Sequence, residues 1–215
     1  MTRQAFVGRE RELAHLQTFL TRALEGQGQV VFVAGDAGSG KTALLREFAR
    51  LAQDVRADLV VAVGECNAQT GIGDPYLPFR EILAMLSGDV DAKVARGATT
   101  RENANRLRAL LETSGQAIVE LGPHLIEFFI PGALLAAMAG RFVAKRVGWL
   151  KSLEELNERK SAARSEGGQD QSHLFEQYTN VLKAIAAKQP LILVVDDLQW
   201  ADAGSISLLF HLGRR

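Results

Sequence analysis

The chain is predicted to be an α/β protein: a parallel sheet with helices on both faces, incomplete because only three strands are readable, plus a helical insertion. Two observations carry this. A glycine-rich loop, Gly35-Asp36-Ala37-Gly38-Ser39-Gly40-Lys41-Thr42, joins an apolar β-branched run to a helical pattern. A second apolar run, Leu191-Ile192-Leu193-Val194-Val195, ends in two carboxylates, Asp196 and Asp197. Strands without polar alternation are those buried on both faces, as in parallel sheets.

The loop fits G-x-x-x-x-G-K-[ST], a phosphate-binding pattern whose context here is the expected strand, turn and helix. The strand is Val30-Val31-Phe32-Val33-Ala34, read as buried and parallel; the helix carries Ala43, Leu44, Leu45, Phe48 and Leu51 at helical spacing. Glycines let successive N–H groups point inward, and the helix adds the positive end of its dipole. Gly35, Asp36, Ala37, Gly38, Ser39, Gly40, Lys41 and Thr42 are therefore the candidate phosphate cradle. Lys41 would reach the β- and γ-phosphates, and the Thr42 hydroxyl would bind Mg²⁺.

Length and composition frame the rest. The 215 residues suit one α/β domain with an insertion, or one domain and part of another, and 47% hydrophobic content supports a sizeable core. Twenty-five basic residues against 25 acidic ones give no electrostatic case for nucleic acid. One cysteine, Cys66, excludes an intrachain disulfide and suits a reducing compartment. The first residues lack a secretion-signal core, and the longest apolar run, residues 128–140, is broken by Pro131-Gly132 and too short for a bilayer. A cytoplasmic protein without membrane partners is expected. The four histidines, His15, His124, His173 and His211, show no metal-ligand spacing.

Along the chain, Leu13, Leu16, Leu20 and Leu24 share one helix face, which ends at Gly26 and Gly28. The second strand reads as Leu59-Val60-Val61-Ala62-Val63. A Gly- and Pro-rich loop over residues 67–78 feeds a short helix with Phe79, Ile82, Leu83 and Leu86, stopping at Ser87-Gly88. From Arg101 to Arg164 the pattern is helical, with breaks at Gly122-Pro123 and Pro131-Gly132. It is too long for an ordinary crossover and reads as an inserted subdomain or lid. A helix capped by Ser172 follows, buried along Phe175, Tyr178, Leu182 and Ile185. Three segments result: 1–100, the first part of the core; 101–170, the insertion and a charged linker; and 171–215, the core's continuation, truncated at its C-terminus.

In open α/β sheets, ligands bind at the carboxyl ends of the strands, where Asp196 and Asp197 stand. Asp196 would hold Mg²⁺, and Asp197 would position an attacking water.

Three blocks together resemble the STAND class of P-loop ATPases, relatives of the AAA+ proteins that occur in bacterial multidomain regulators. They are Phe6-Val7-Gly8-Arg9-Glu10, the loop at residues 35–42, and Val195-Asp196-Asp197-Leu198-Gln199-Trp200-Ala201-Asp202. Gly73-Asp74-Pro75-Tyr76-Leu77-Pro78-Phe79-Arg80 is similar to that group too. The resemblance implies that Val7, Gly8 and Arg9 lie against adenine; the alternative is that they only form the entry to the first helix. ATP and Mg²⁺ are the implied cofactors, and the implied partners are further domains of the same polypeptide and, on activation, other copies of the chain. ATP over GTP rests on this resemblance. Trp200 reads as packing beneath the nucleotide site, and Asp202 as the N-cap of the last helix.

Typical AAA+ motors carry glutamate where this chain has Asp197. A carboxylate one methylene shorter is drawn back from the water, so slow hydrolysis is expected, which suits a switch. The family sheet order 5-1-4-3-2 would leave the first strand without a partner here, and with it the expectation that this is the N-terminal piece of a longer protein. The leading expectation is an ATP-binding, slowly hydrolysing switch module, hence an ATPase, weak or inactive as this segment alone. The alternatives are a nucleotide-binding scaffold without turnover and a DNA-associated AAA+ loader.

Overall fold

The computed structural model describes residues 8–68, 75–129 and 170–214. Val7, residues 69–74 of the loop at 67–78, and the helical pattern and charged linker over 130–169 lie outside the described residues.

Helices α1 (Glu10–Leu24) and α2 (Lys41–Val55) lead to strand β1 (Val60–Glu65). Helices α3 (Leu77–Leu86), α4 (Asp91–Ala95), α5 (Arg101–Leu121) and α6 (Pro123–Phe129) follow. After them come α7 (Asp170–Ala186), strand β2 (Leu191–Asp196), a 3₁₀ turn (Leu198–Trp200) and α8 (Ala203–Leu212). The two strands pair in parallel, Val60 opposite Leu191 and Glu65 opposite Asp196. This is an incomplete α/β fold with helices on both faces of a parallel pair.

Strand alternation decides which helix meets which face. Val61, Val63, Ile192 and Val194 point to one side and pack with Ala49 and Ala52 of α2. Val60, Ala62, Leu191, Leu193 and Val195 point to the other, into the main core built by α3, α5, α6, α7 and Leu208 of α8. The described part of the 101–170 segment therefore shares that core. Gly64 permits this packing, because a Cβ there would overlap the carbonyl of Pro78 at the start of α3.

The outer edge of β1 is closed by side chains. Alternate N–H groups of a paired strand point away from its partner. The Val61 N–H donates to Asn103 Oδ1 (3.1 Å), and Asn103 Nδ2 donates to the Val61 carbonyl (2.8 Å). The Val63 N–H meets Met85 Sδ (3.2 Å), and the Glu65 N–H donates to Glu81 Oε2 (2.8 Å). Glu81 also takes the ammonium of Lys93 at 2.8 Å, so that buried charge is paired. An edge closed in this way resists further strand addition.

Four expectations need correction. Residues 30–34 carry no strand pairing, and Val30, Val31 and Phe32 are 52%, 38% and 59% exposed. Only Val33 turns inward, against Leu16, Leu44, Phe48 and Ile192. The apolar run is real, but a strand is a pairing, and no described segment supplies its neighbour. The second strand is shifted toward its acidic end, 60–65 rather than 59–63, because Pro190 and Asp196 bracket its bonded partner: Val60 N–H donates to Pro190 O, Cys66 N–H to Asp196 O. The helix read as capped by Ser172 begins at Asp170 instead, placing Ser172 inside its first turn. Trp200 does not pack beneath the site; it is 56% exposed, since the 3₁₀ turn lifts it off the sheet. Asp202 does cap α8, accepting the Ser205 N–H at 3.0 Å.

Candidate functional site

Residues 35–42 wrap ahead of α2 as the glycine pattern requires. Gly38 and Gly40 have φ of 75° and 82°, backbone that side chains rarely adopt, and Gly40 is the N-cap of α2. No side chain caps that helix, so its first N–H groups face the loop. Lys41 Nζ arches back over the loop and donates to the carbonyls of Gly35 (3.0 Å) and Asp36 (2.9 Å). The Ser39 N–H closes a turn onto the Asp36 carbonyl at 3.2 Å. Arg9, after Gly8 at the entry to α1, donates from Nη2 to the Ser39 carbonyl. The structure thus brings Arg9 to the loop.

Loop and strand end meet. Thr42 Oγ1 donates to Asp196 Oδ2 at 2.7 Å, although 154 residues separate them. The parallel strand carries Asp196 to the same sheet edge as the loop, on the face that α2 covers. Asp196 Oδ1 accepts the Asp197 N–H at 2.9 Å, which fixes the carboxylate plane. Asp197 itself adopts a left-handed backbone, φ 54°, which aspartate tolerates better than most residues. Its Oδ1 accepts from Gln199 Nε2 at 2.9 Å.

These donors fit a phosphate and a hard cation. Amide donors at a helix N-terminus, with a lysine amine above them, suit phosphate oxygens. A hydroxyl and a carboxylate oxygen converging on one point suit Mg²⁺, which prefers oxygen ligands. The buried Ser39 Oγ, which has no hydrogen-bond partner among the described residues, adds another polar atom to the cradle.

One neighbour was missed by sequence reasoning, and a second was read only as a helix cap. Cys66 follows β1 directly beneath the acids; burial first, then the carboxylates of Asp202, Asp197, Glu81 and Asp196, push its thiol up to about 11. It stays protonated and inert at neutral pH. At Asp202, burial works to raise the carboxyl, but donors from Ser205, Tyr76 and Gly204 outweigh it and hold it below the usual range. The cap on α8 was read from the sequence; the bond from the Tyr76 N–H to Asp202 was not.

A P-loop ATPase domain of the AAA type is the class that this fold and loop define. The chain belongs to the family described as AAA ATPase domain, which matches residues 5–215. It is also similar, at 28% identity over 211 residues, to an uncharacterised protein of Rhizobium meliloti (strain 1021). That match takes in 97% of this chain but 17% of the relative's length. No solved structure matches. Among the described residues, no helix is long and apolar enough to cross a membrane.

Proposed function

We propose that this domain is an ATP-binding, slowly hydrolysing switch of the STAND class, working in the cytoplasm within a multidomain signalling or transcriptional regulator. The observation that carries the reading is the Thr42–Asp196 contact, a hydrogen bond between motifs far apart in the sequence. In it, the loop amides and the α2 N-terminus hold the phosphates, with the Lys41 amine exchanging its carbonyl partners for phosphate oxygens. Thr42 and Asp196 would hold Mg²⁺, which neutralises phosphate charge when bound. Arg9 fastens the entry of α1 to the loop, so that Gly8 and Arg9, with Val7 before them, flank the base. Asp197 orients the water for in-line attack. Its short side chain, already held by Gln199, keeps turnover slow. Such slowness lets the bound state persist long enough for neighbouring domains, or other copies of the chain, to read it.

The same Gln199 bond favours a second reading, a scaffold that binds ATP without turnover. Asp197→Asn separates them. In a switch that hydrolyses ATP, phosphate release falls by about tenfold or more and bound ATP accumulates. A scaffold shows no release to lose, and its ATP occupancy does not change.

A further inference from the structure

Among the described residues, two that are not glycine have positive φ: Asp197 and Tyr76, at 62°. They stand at the two ends of one short stretch, Asp197 at the head of a turn and Tyr76 bonded to Asp202, where that turn ends. The Tyr76 N–H donates to Asp202 Oδ2 at 3.1 Å. That carboxylate also takes the hydroxyl and N–H of Ser205 and so caps α8. Between Asp197 and Asp202 the chain is a closed turn, the Trp200 N–H on the Asp197 carbonyl (2.9 Å) and the Ala201 N–H on Leu198 (3.0 Å). Asp202 is thus the downstream anchor of the turn that presents Asp197.

Left-handed backbone is costly for an aromatic residue and persists only where the surroundings impose it. At Tyr76 the ring imposes it. It packs edge-on against Phe129 of α6 (centroids 5.6 Å) and Phe175 of α7 (6.1 Å). Its hydroxyl accepts from Gln171 Nε2 at 3.1 Å. It also lies flush on Gly204, where a Cβ would stand 2.8 Å from Cε1 and Cζ. Ring contacts hold the backbone left-handed, and that backbone aims the N–H at Asp202.

We propose that Tyr76 is a positioning residue: it fixes Asp202, and through it the turn that carries Asp197, in the geometry hydrolysis needs. The inference rests on the ATPase reading above. It also ties the turn to α6 and α7.

The test is a series in the full-length polypeptide, Tyr76→Phe, Tyr76→Gly, Tyr76→Ala and Gly204→Ala. It is read by kcat and KM for Mg-ATP and by amide hydrogen exchange over residues 197–202. Tyr76→Ala loses the ring but still dislikes positive φ, so the backbone relaxes and the N–H leaves Asp202. Its kcat falls about tenfold, while KM stays within about threefold because the phosphate contacts are elsewhere. Tyr76→Phe stays near the unmodified rate. Tyr76→Gly loses the ring too but adopts positive φ freely, so it outperforms Tyr76→Ala. A residue that served only packing would give the opposite order, since glycine fills no more space than alanine. Glycine no better than alanine, or an unaffected alanine variant, overturns the proposal. If both small variants fail to fold, Gly204→Ala decides: a rate about tenfold slower sustains it, an unchanged rate overturns it. Should the unmodified protein bind no Mg-ATP, the ATPase reading fails, and the order of exchange rates across the series still judges the latch. Should it bind without turnover, that same order decides.

Discussion

Lys41→Ala is expected to lower the affinity for Mg-ATP by about 3 kcal/mol, on the order of a hundredfold. Two physical terms combine. The ammonium supplies charge-assisted hydrogen bonds to phosphate oxygens, which are the strong kind. It also bonds the carbonyls of Gly35 and Asp36, so its removal loosens the cradle. Stability should hardly move, because the amine lies at the surface of an exposed loop and such substitutions usually stay within about 0.5 kcal/mol. Fluorescent-nucleotide titration beside a thermal melt measures both. Affinity within threefold or so of the unmodified protein would remove Lys41 from the phosphate site.

Asn103→Leu has the largest expected effect on stability, about 3 kcal/mol or more, or roughly 6–12 °C in Tm. Leucine shares asparagine's branching at Cγ and is the larger of the two, so the substitution opens no cavity. It leaves the N–H and the carbonyl of buried Val61 without partners, however, and a buried unpaired polar group costs about 1–3 kcal/mol. Gln53 loses an acceptor at 2.6 Å and Thr99 a donor at 2.8 Å. Chemical denaturation checks the size of the loss. Nucleotide affinity in the folded protein should persist, since the Asn103 side chain bonds Gln53, Val61 and Thr99 and not the phosphate loop. A destabilisation under about 1 kcal/mol would mean that β1 does not depend on this side chain.

Asn103 also marks where sequence reading stopped. The helix holding it was legible, and so was its end at Gly122. Its apolar stripe runs through Ala104, Leu107, Leu110 and Leu111, and Asn103 belongs to that buried face. A polar residue inside an apolar stripe was the available sign that something there needed hydrogen bonds. What it bonds, the edge of a strand 42 residues earlier, is a tertiary fact that helical periodicity does not contain.

The phosphate loop and the acidic strand end were legible because both are local: closely spaced glycines, an unbroken apolar run, acids at its carboxyl end. Residues 30–34 show the limit of that logic. Their composition states a preference for β structure, yet pairing depends on which backbone lies alongside. Trp200 fails for a related reason, since a large apolar side chain need not be buried and position in a turn decides. Tyr76 was visible within a motif, but its left-handed backbone comes from ring contacts with α6, α7 and α8 that no spacing rule encodes.

The most direct test of the account is a double-mutant cycle on Mg-ATP binding with Thr42→Ala and Asp196→Asn. Two oxygens serving one Mg²⁺ must be coupled, so the double variant should bind little worse than either single one. The coupling should be at least about 1 kcal/mol and should vanish when Mg²⁺ is withheld. Losses that add in full, equal with and without Mg²⁺, would mean that the loop and the strand end do not hold a shared ion.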